Sequence, residues 1–299
     1  MAVIKTLILI SVIILPTMMM AQDVNPVCYL PIGKEEDEIR RERERVLKIF
    51  HEIEREIEQT CSDHRRSCED VSSPGIYQLN FDSNKFKVYC DDTWTLIARF
   101  SNSDTKNWMR DNGHWWYDQT VAVGTTTDPL VNADMISPAF WLVSGREFKI
   151  TRSDDSSHAP LLQTTGNCLE GQTFRSKITS YGVFRYRKIW SSYRCLGNCT
   201  VKYGGQYNTT EGFKQAECNG RLATSNKISF WCHYSKDGSV MMIGGGGKGC
   251  ERADHGIGIT EANQASFSEG QEEEYDFGND AEDWFGSPND SYSLNLWIR

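Results

Sequence analysis

Ten cysteines, spread from Cys28 to Cys250, constrain this chain more than any other feature. In an exported protein an even number of cysteines goes into disulfides, which hold a loop-rich fold together. Cys195 and Cys199 are spaced like half of a zinc site, but no second Cys or His pair follows at finger spacing, so structural zinc is not expected. The N-terminus supplies the export signal that such cysteines need. Lys5 precedes the uncharged run from Thr6 to Leu15, and Met18-Met19-Met20-Ala21 closes it before Gln22. That pattern predicts a secretory signal over residues 1–21, cleaved between Ala21 and Gln22. Pro16 stops the apolar run short of the roughly 20 residues that a membrane span needs, and no later stretch is as long without charge. The expectation is a secreted, extracellular protein with no membrane insertion. Three sequons, at Asn198, Asn208 and Asn289, are candidate glycosylation sites, each marking surface if it is used.

Net charge is −9, and its distribution says more than its sum. Between Arg252 and Arg299 there is no Lys or Arg, whereas eleven acidic residues fall there, from Asp254 to Asp290. The rest of the chain is close to neutral. A field of that sign attracts cations and repels nucleic acid, so calcium or a calcified mineral surface fits and DNA does not.

After a linker at residues 22–33, containing Pro26 and Pro31, residues 34–61 are dense in charge and free of Gly and Pro. Ile39, Val46, Ile49, Phe50, Ile53 and Ile57 recur at helical spacing, and Glu36 with Arg40, Asp37 with Arg41 and Glu44 with Lys48 are favourable i, i+4 pairs. The segment reads as one amphipathic helix. Ile39, Val46 and Ile53 repeat every seven residues like a coiled-coil seam, with Glu42 and Glu56 at the companion positions. Two readings stand: a homo-oligomerising helix, or a helix packed on its own globular domain. Cys28 and Cys61 flank it and can pair between chains or with each other. Assembly matters for a binding protein because linked weak sites gain avidity.

Residues 67–299 change character. Glycines are frequent, all nine tryptophans lie between Trp94 and Trp297, and segments such as Lys85 to Tyr89 and Trp94 to Phe100 read as strands. A segment of this length is large enough for one well-buried domain. The fold class expected is α+β: twisted antiparallel sheets, a few short helices, and long loops held by disulfides.

Particular residues in this domain resemble a known family. Ser67-Cys68, then Pro74-Gly75-Ile76-Tyr77, then Cys90-Asp91, then the strand Trp94-Thr95-Leu96-Ile97-Ala98 occur in the order in which fibrinogen-related domains open. Ile243-Gly244-Gly245-Gly246-Gly247 resembles the glycine segment beside the calcium and sugar site of the intelectin-like lectins, and Leu294 to Arg299 resembles the family's last core strand. The resemblance implies a fibrinogen C-terminal-like fold, a Cys68–Cys90 bridge, and a Cys232–Cys250 bridge closing a late loop. It also implies a calcium ion that binds the exocyclic diol of a sugar. Asp276-Phe277 and Asp283-Trp284 resemble the family's Asp-Phe and Asp-Trp, which makes Asp276 a calcium ligand and Trp284 a wall of the carbohydrate pocket. Before the glycine run, the family's Asn, Glu and His ligands are matched only at Asp237. In the family's loop after the Trp-Thr-Leu strand, Asn102, Asp104 and Asp111 offer oxygens by position.

The residues themselves add a second argument for calcium. Asp254-His255-Gly256-Ile257-Gly258-Ile259-Thr260-Glu261 brings two carboxylates and an imidazole around a turn, beside glycines whose carbonyls can approach a cation closely. The candidate calcium ligands are therefore Asp237, Asp254, His255, Glu261 and Asp276. The run from Asn107 to Asp118, rich in tryptophan, offers sugar-stacking faces or core packing, and core packing is the favoured reading. Catalysis is not expected: the six histidines contain no HExxH pair and no Gly-x-Ser-x-Gly elbow occurs. Gly244 to Gly249 formally contains GxGxxG but ends in no Lys-Ser/Thr, so a phosphate loop is not expected either. The function expected is calcium-dependent binding of a carbohydrate or matrix glycoprotein. The alternative is an acidic structural protein of an extracellular matrix, calcified or skeletal, that keeps the fold without sugar binding.

Overall fold

The computed structural model describes residues 32–63, 65–102, 116–181, 194–206, 226–234, 237–243, 256–260, 277 and 291–299. The expected signal peptide and most of the linker lie outside these residues. The chain divides into two units, Met1–Gln59 and Thr60–Arg299.

The first unit is described by one helix, α1 (Ile32–Asp63). With no Pro and only Gly33 in its sequence, nothing interrupts the i to i−4 ladder, and 32 residues extend about 48 Å. Among its described side chains, Asp37 pairs with Arg40 at 2.8 Å and Glu42 with Arg45 at 3.4 Å, both at i, i+3, while the side chain of Glu36, expected to pair with Arg40, lies outside the described residues. Arg41 instead donates to the Asp37 carbonyl at 3.0 Å.

The second unit is built on an 11-stranded sheet in which every pairing among the described residues is antiparallel. The strands are β1 (Gly75–Phe81), β2 (Asn84–Asp91), β3 (Trp94–Ser101), β4 (Met135–Ile136), β5 (Phe148–Arg152), β6 (Pro160–Thr164), β7 (Gly197–Tyr203), β8 (Lys227–Tyr234), β9 (Asp237–Met242), β10 (Gly256–Thr260) and β11 (Ser293–Ile298). Two short helices, α2 (Ala139–Leu142) and α3 (Phe174–Thr179), and a 3-10 turn at Trp116–Asp118 complete it. Mostly antiparallel sheet with few short helices is compatible with the α+β expectation.

Tight turns open the sheet. Phe81 pairs with Asn84 and Asp91 with Trp94, and the turn residues Asp82 and Asp92 take φ of 50° and 51°. Asp tolerates this left-handed region better than most residues because its short side chain can hydrogen-bond locally. The last strand of the chain then enters the middle of the sheet: the order is β1-β2-β3-β11-β5-β6-β7-β8-β9-β10, with β4 on β3. Both β3 and β11 are buried along their whole length. Strands covered on both faces read as continuous apolar runs, as Leu96-Ile97-Ala98 does.

One face of the sheet carries the main core, where Leu294, Leu296 and Ile298 meet Phe148, Ile150 and Phe174. The opposite face carries a smaller cluster of Trp94, Leu96, Met135 and Trp297, with Tyr89 packed against it. Arg99 holds the covering segment in place. Fully buried, it donates to the carbonyls of Ala133 at 2.6 Å, Asp128 at 2.5 Å and Thr125 at 3.4 Å. Each carbonyl gains a charge-assisted partner it would otherwise lack away from water.

Among the described residues three disulfides are formed: Cys68–Cys90, Cys168–Cys199 and Cys195–Cys232. The Cys68–Cys90 bridge ties the segment before β1 to β2. The expected Cys232–Cys250 bridge is corrected, because Cys232 is bonded to Cys195. The reason is register: β7 and β8 pair Gly197 with Phe230, and two residues further along the same antiparallel ladder Cys195 faces Cys232, Cα to Cα 3.9 Å. Cys250 lies outside the described residues.

Candidate functional site

Four of the five expected metal ligands flank β9 and β10 in sequence: Asp237 opens β9, Asp254 and His255 precede β10, and Glu261 follows it. β9 lies between β8 and β10, and its Val240, Met241 and Met242 are fully buried, as is Ile257 of β10. Apolar burial therefore anchors the ribbon that carries the acidic and glycine-rich segments. Met242 pairs with Gly256 and Gly238 pairs with Thr260. The glycine run and Asp254-His255 thus belong to one connection, leaving β9 after Met242 and returning at Gly256. A side chain at Gly256 would meet the Met241 carbonyl at 2.1 Å and the Ser239 hydroxyl at 2.8 Å, so only glycine admits the close approach of β10 to β9 there.

Asp237 begins β9, with its backbone paired to Tyr234. Asp254, His255, Glu261, Asp276 and Trp284 lie outside the described residues, as does the side chain of Asp237. Among the described residues no group of three or more His, Cys, Asp or Glu side chains is arranged to hold a metal.

A second polar centre sits at the exit of β3. Asn102, 4% exposed, donates from Nδ2 to the Phe277 carbonyl at 3.3 Å, while its Oδ1 accepts from the Tyr292 backbone at 2.9 Å. The Phe277 and Tyr292 rings meet at 5.5 Å. Asn102 therefore works as a clamp between two distant segments, and its oxygen is already engaged. Beside it, Ser101 N donates to Asp134 at 2.7 Å, and the Asn132 amide lies 2.6 Å from Ser101 Oγ and 2.8 Å from Ser291 Oγ. Asp276 is the residue next to Phe277, so the clamp fixes where the chain leaves that acid. Sequence reasoning read Asn102 only as an oxygen donor; the partners that define its role are 175 and 190 residues away.

Four of the five described tryptophans are packed rather than presented, and the fifth, Trp141, is half-buried against the main core. Trp116, Trp231 and Trp297 are fully buried and Trp94 is 7% exposed, with Trp116 against Phe100 at 4.8 Å and Trp231 against Tyr117 at 4.9 Å. For the part of the Asn107–Asp118 run that is described, core packing is what is found. On the second face Lys149 lies between Trp94 and Trp297, 5.3 and 5.1 Å from their ring centres, and donates to Asp91 at 2.5 Å. Burial lowers the Lys149 pKa, and the hydrogen bond and charge of Asp91 oppose that. His158, at φ 50° and 6% exposed, packs edge-on to Tyr89 and against Trp297, and burial holds its pKa below the usual histidine value.

A surface cleft of about 790 Å³ lies elsewhere, lined by Glu69, Thr93, Arg146, Glu147, Asn167 and Arg299 among others. Its central carboxylate is committed to structure: Glu147 accepts from Asn167 N at 2.7 Å and from the Thr164 hydroxyl at 2.6 Å. Of the three sequons, Asn198 is described. On β7 the period-2 alternation turns Asn198 and Thr200 outward and Cys199 inward to its bridge with Cys168. Asn208 and Asn289 lie outside the described residues. No described helix is long and apolar enough to cross a membrane. No protein-family model and no curated protein matches this chain.

Proposed function

We propose that this chain is a secreted, disulfide-bonded protein that binds calcium and, through it, carbohydrate, on a fibrinogen-related domain of the intelectin-like kind, without catalytic activity. One observation carries the reading: Met242 pairs with Gly256, so the glycine run and Asp254-His255 share a single connection between paired strands. Glycine carbonyls, the Asp254 carboxylate and waters make up an oxygen-rich set that suits calcium. A sugar diol can replace two of the waters, with Trp284 against its apolar face. Of the five expected ligands, this reading rests on Asp254 and His255. Three disulfides and the absence of a spanning helix among the described residues fit an extracellular setting.

A second reading is favoured by the concentration of charge: eleven acidic and no basic residues between Arg252 and Arg299. On this reading the chain is a structural matrix protein whose acidic segment binds calcium or a calcified surface, and the sugar site is lost. A glycan array read with and without a chelator separates the two. Chelator-sensitive glycan binding supports the lectin. Calcium binding with no glycan signal supports the matrix role.

A further inference from the structure

The helix α1 carries an apolar stripe that stays in water. Ile39 is 65% exposed, Ile49 57%, Leu47 and Ile53 49%, Val46 48% and Ile57 45%. Ile32, Ile39, Val46 and Ile53 recur every seven residues, and Phe50 and Ile57 fall four residues after Val46 and Ile53. That is the alternating spacing of a coiled-coil seam in a register that places the sevenfold series at d and Phe50 and Ile57, rather than Glu42 and Glu56, at the companion a positions. The stripe is densest from Val46 to Ile57, while Glu36 and Arg43 occupy the a positions of the first half.

Charge selects the alignment of a partner. The g positions in this register are Glu35, Glu42, Ile49 and Glu56, and the e positions include Arg40, Leu47 and Glu54. Two antiparallel copies set g against g, which opposes glutamate to glutamate at Glu35 and Glu56. Parallel copies set g against e, which brings Glu35 to Arg40 and Glu42 to the apolar Leu47, and leaves Arg43 beside the other chain's Glu42. Joining the stripe of two such helices covers on the order of 1,000 Å², the lower range of a specific interface.

The cysteines that flank the helix bear on the same question. Cys61 lies 29 residues into α1, about 43 Å from Ile32. Cys28 is four residues before Ile32 and reaches back no more than about 14 Å. The two sulfurs of one chain are thus tens of ångströms apart, far beyond the roughly 6 Å Cα separation of a disulfide. Of the two pairings open to them in the sequence, the one within a single chain is excluded by the length of the helix.

We propose that α1 is a self-association element: another copy of this chain docks on the Val46–Ile57 stripe, parallel and in register. The test uses the full secreted chain. Sedimentation at tens of micromolar should give a self-associated particle, and Val46→Glu with Ile53→Glu should return it to a monomer while the three disulfides and the thermal unfolding of the sheet domain stay unchanged. Ile53→Cys, at a d position, should cross-link to itself under mild oxidation at least tenfold faster than Arg55→Cys on the outer face, with the linkage read by peptide mass spectrometry. A wild-type monomer, or equal cross-linking of the two cysteine variants, overturns the proposal. So does a Cys28–Cys61 linkage in the wild-type map, which is the mark of an antiparallel pair.

Discussion

Ile53 of α1 and Leu296 of β11 are both aliphatic residues in regular structure, yet the first is 49% exposed and the second fully buried. The difference lies in what each element needs in order to form. The helix satisfies its backbone hydrogen bonds locally, so it forms without covering its apolar stripe and keeps that stripe for another surface. The strand satisfies nothing by itself. β11 exists because β3 and β5, more than a hundred residues upstream, accept it between them, and the same pairing buries both of its faces. Burial in the sheet domain is therefore a property of long-range register, whereas the exposed stripe of α1 is a property of local sequence.

The sharpest way to break this contrast is to remove apolar bulk from each region. Trp297→Ala in the sheet domain should cost about 4 kcal/mol, because the ring is fully buried and its indole N–H donates to the Thr151 hydroxyl at 2.9 Å. Ile53→Ala in α1 should leave the unfolding of the sheet domain where it was. Chemical denaturation of the two variants checks both halves. Next in size is the first disulfide. Cys68→Ser with Cys90→Ser opens a loop of sequence separation 22 and should cost about 3 kcal/mol in the chain-entropy model. The midpoint of denaturation should fall.

Asp91→Asn comes next, since it leaves Lys149 buried between two indole rings with a neutral acceptor in place of a carboxylate. About 2 kcal/mol is expected, read as a lower melting temperature at neutral pH. A smaller effect comes from His158. Burial depresses its folded pKa below the ordinary value of 6.5, with Asp91 and Asp155 raising it and Lys149 lowering it. The folded state favours the neutral ring, so this contribution is fully present above pH 6.5 and is lost as pH falls through the depressed folded value. His158→Asn tolerates the left-handed backbone, and it should flatten the fall of melting temperature that sets in as pH drops below 6.5.

Much of the local structure was legible in the residues. The expected helix over 34–61 is found as Ile32–Asp63, and the strands expected at 85–89 and 94–100 are found as Asn84–Asp91 and Trp94–Ser101. Periodicity and turn chemistry carry these, because each is decided within a few neighbours. The Cys68–Cys90 bridge, implied by the resemblance, is formed. Cys195–Cys232 was not legible, since it follows from the register of β7 on β8, which no spacing reports. The same is true of Arg99, whose charge in the middle of an apolar strand makes sense only once three carbonyls from a distant segment close around it. At the candidate site the residue types suggested one set of calcium ligands. The register of β9 and β10 adds that the glycine run and Asp254-His255 share one connection, a relation that follows from the pairing of Met242 with Gly256 rather than from residue type.

The most direct test of the account is thermal unfolding of the mature chain with and without calcium, paired with a calorimetric titration. Binding at the glycine-run connection predicts a melting temperature that rises with Ca²⁺, and a measurable heat of binding. Both should be lost or strongly reduced in the Asp254→Ala, His255→Ala variant, with the three disulfides intact. A wild-type chain whose melting temperature and titration are indifferent to Ca²⁺ would contradict it.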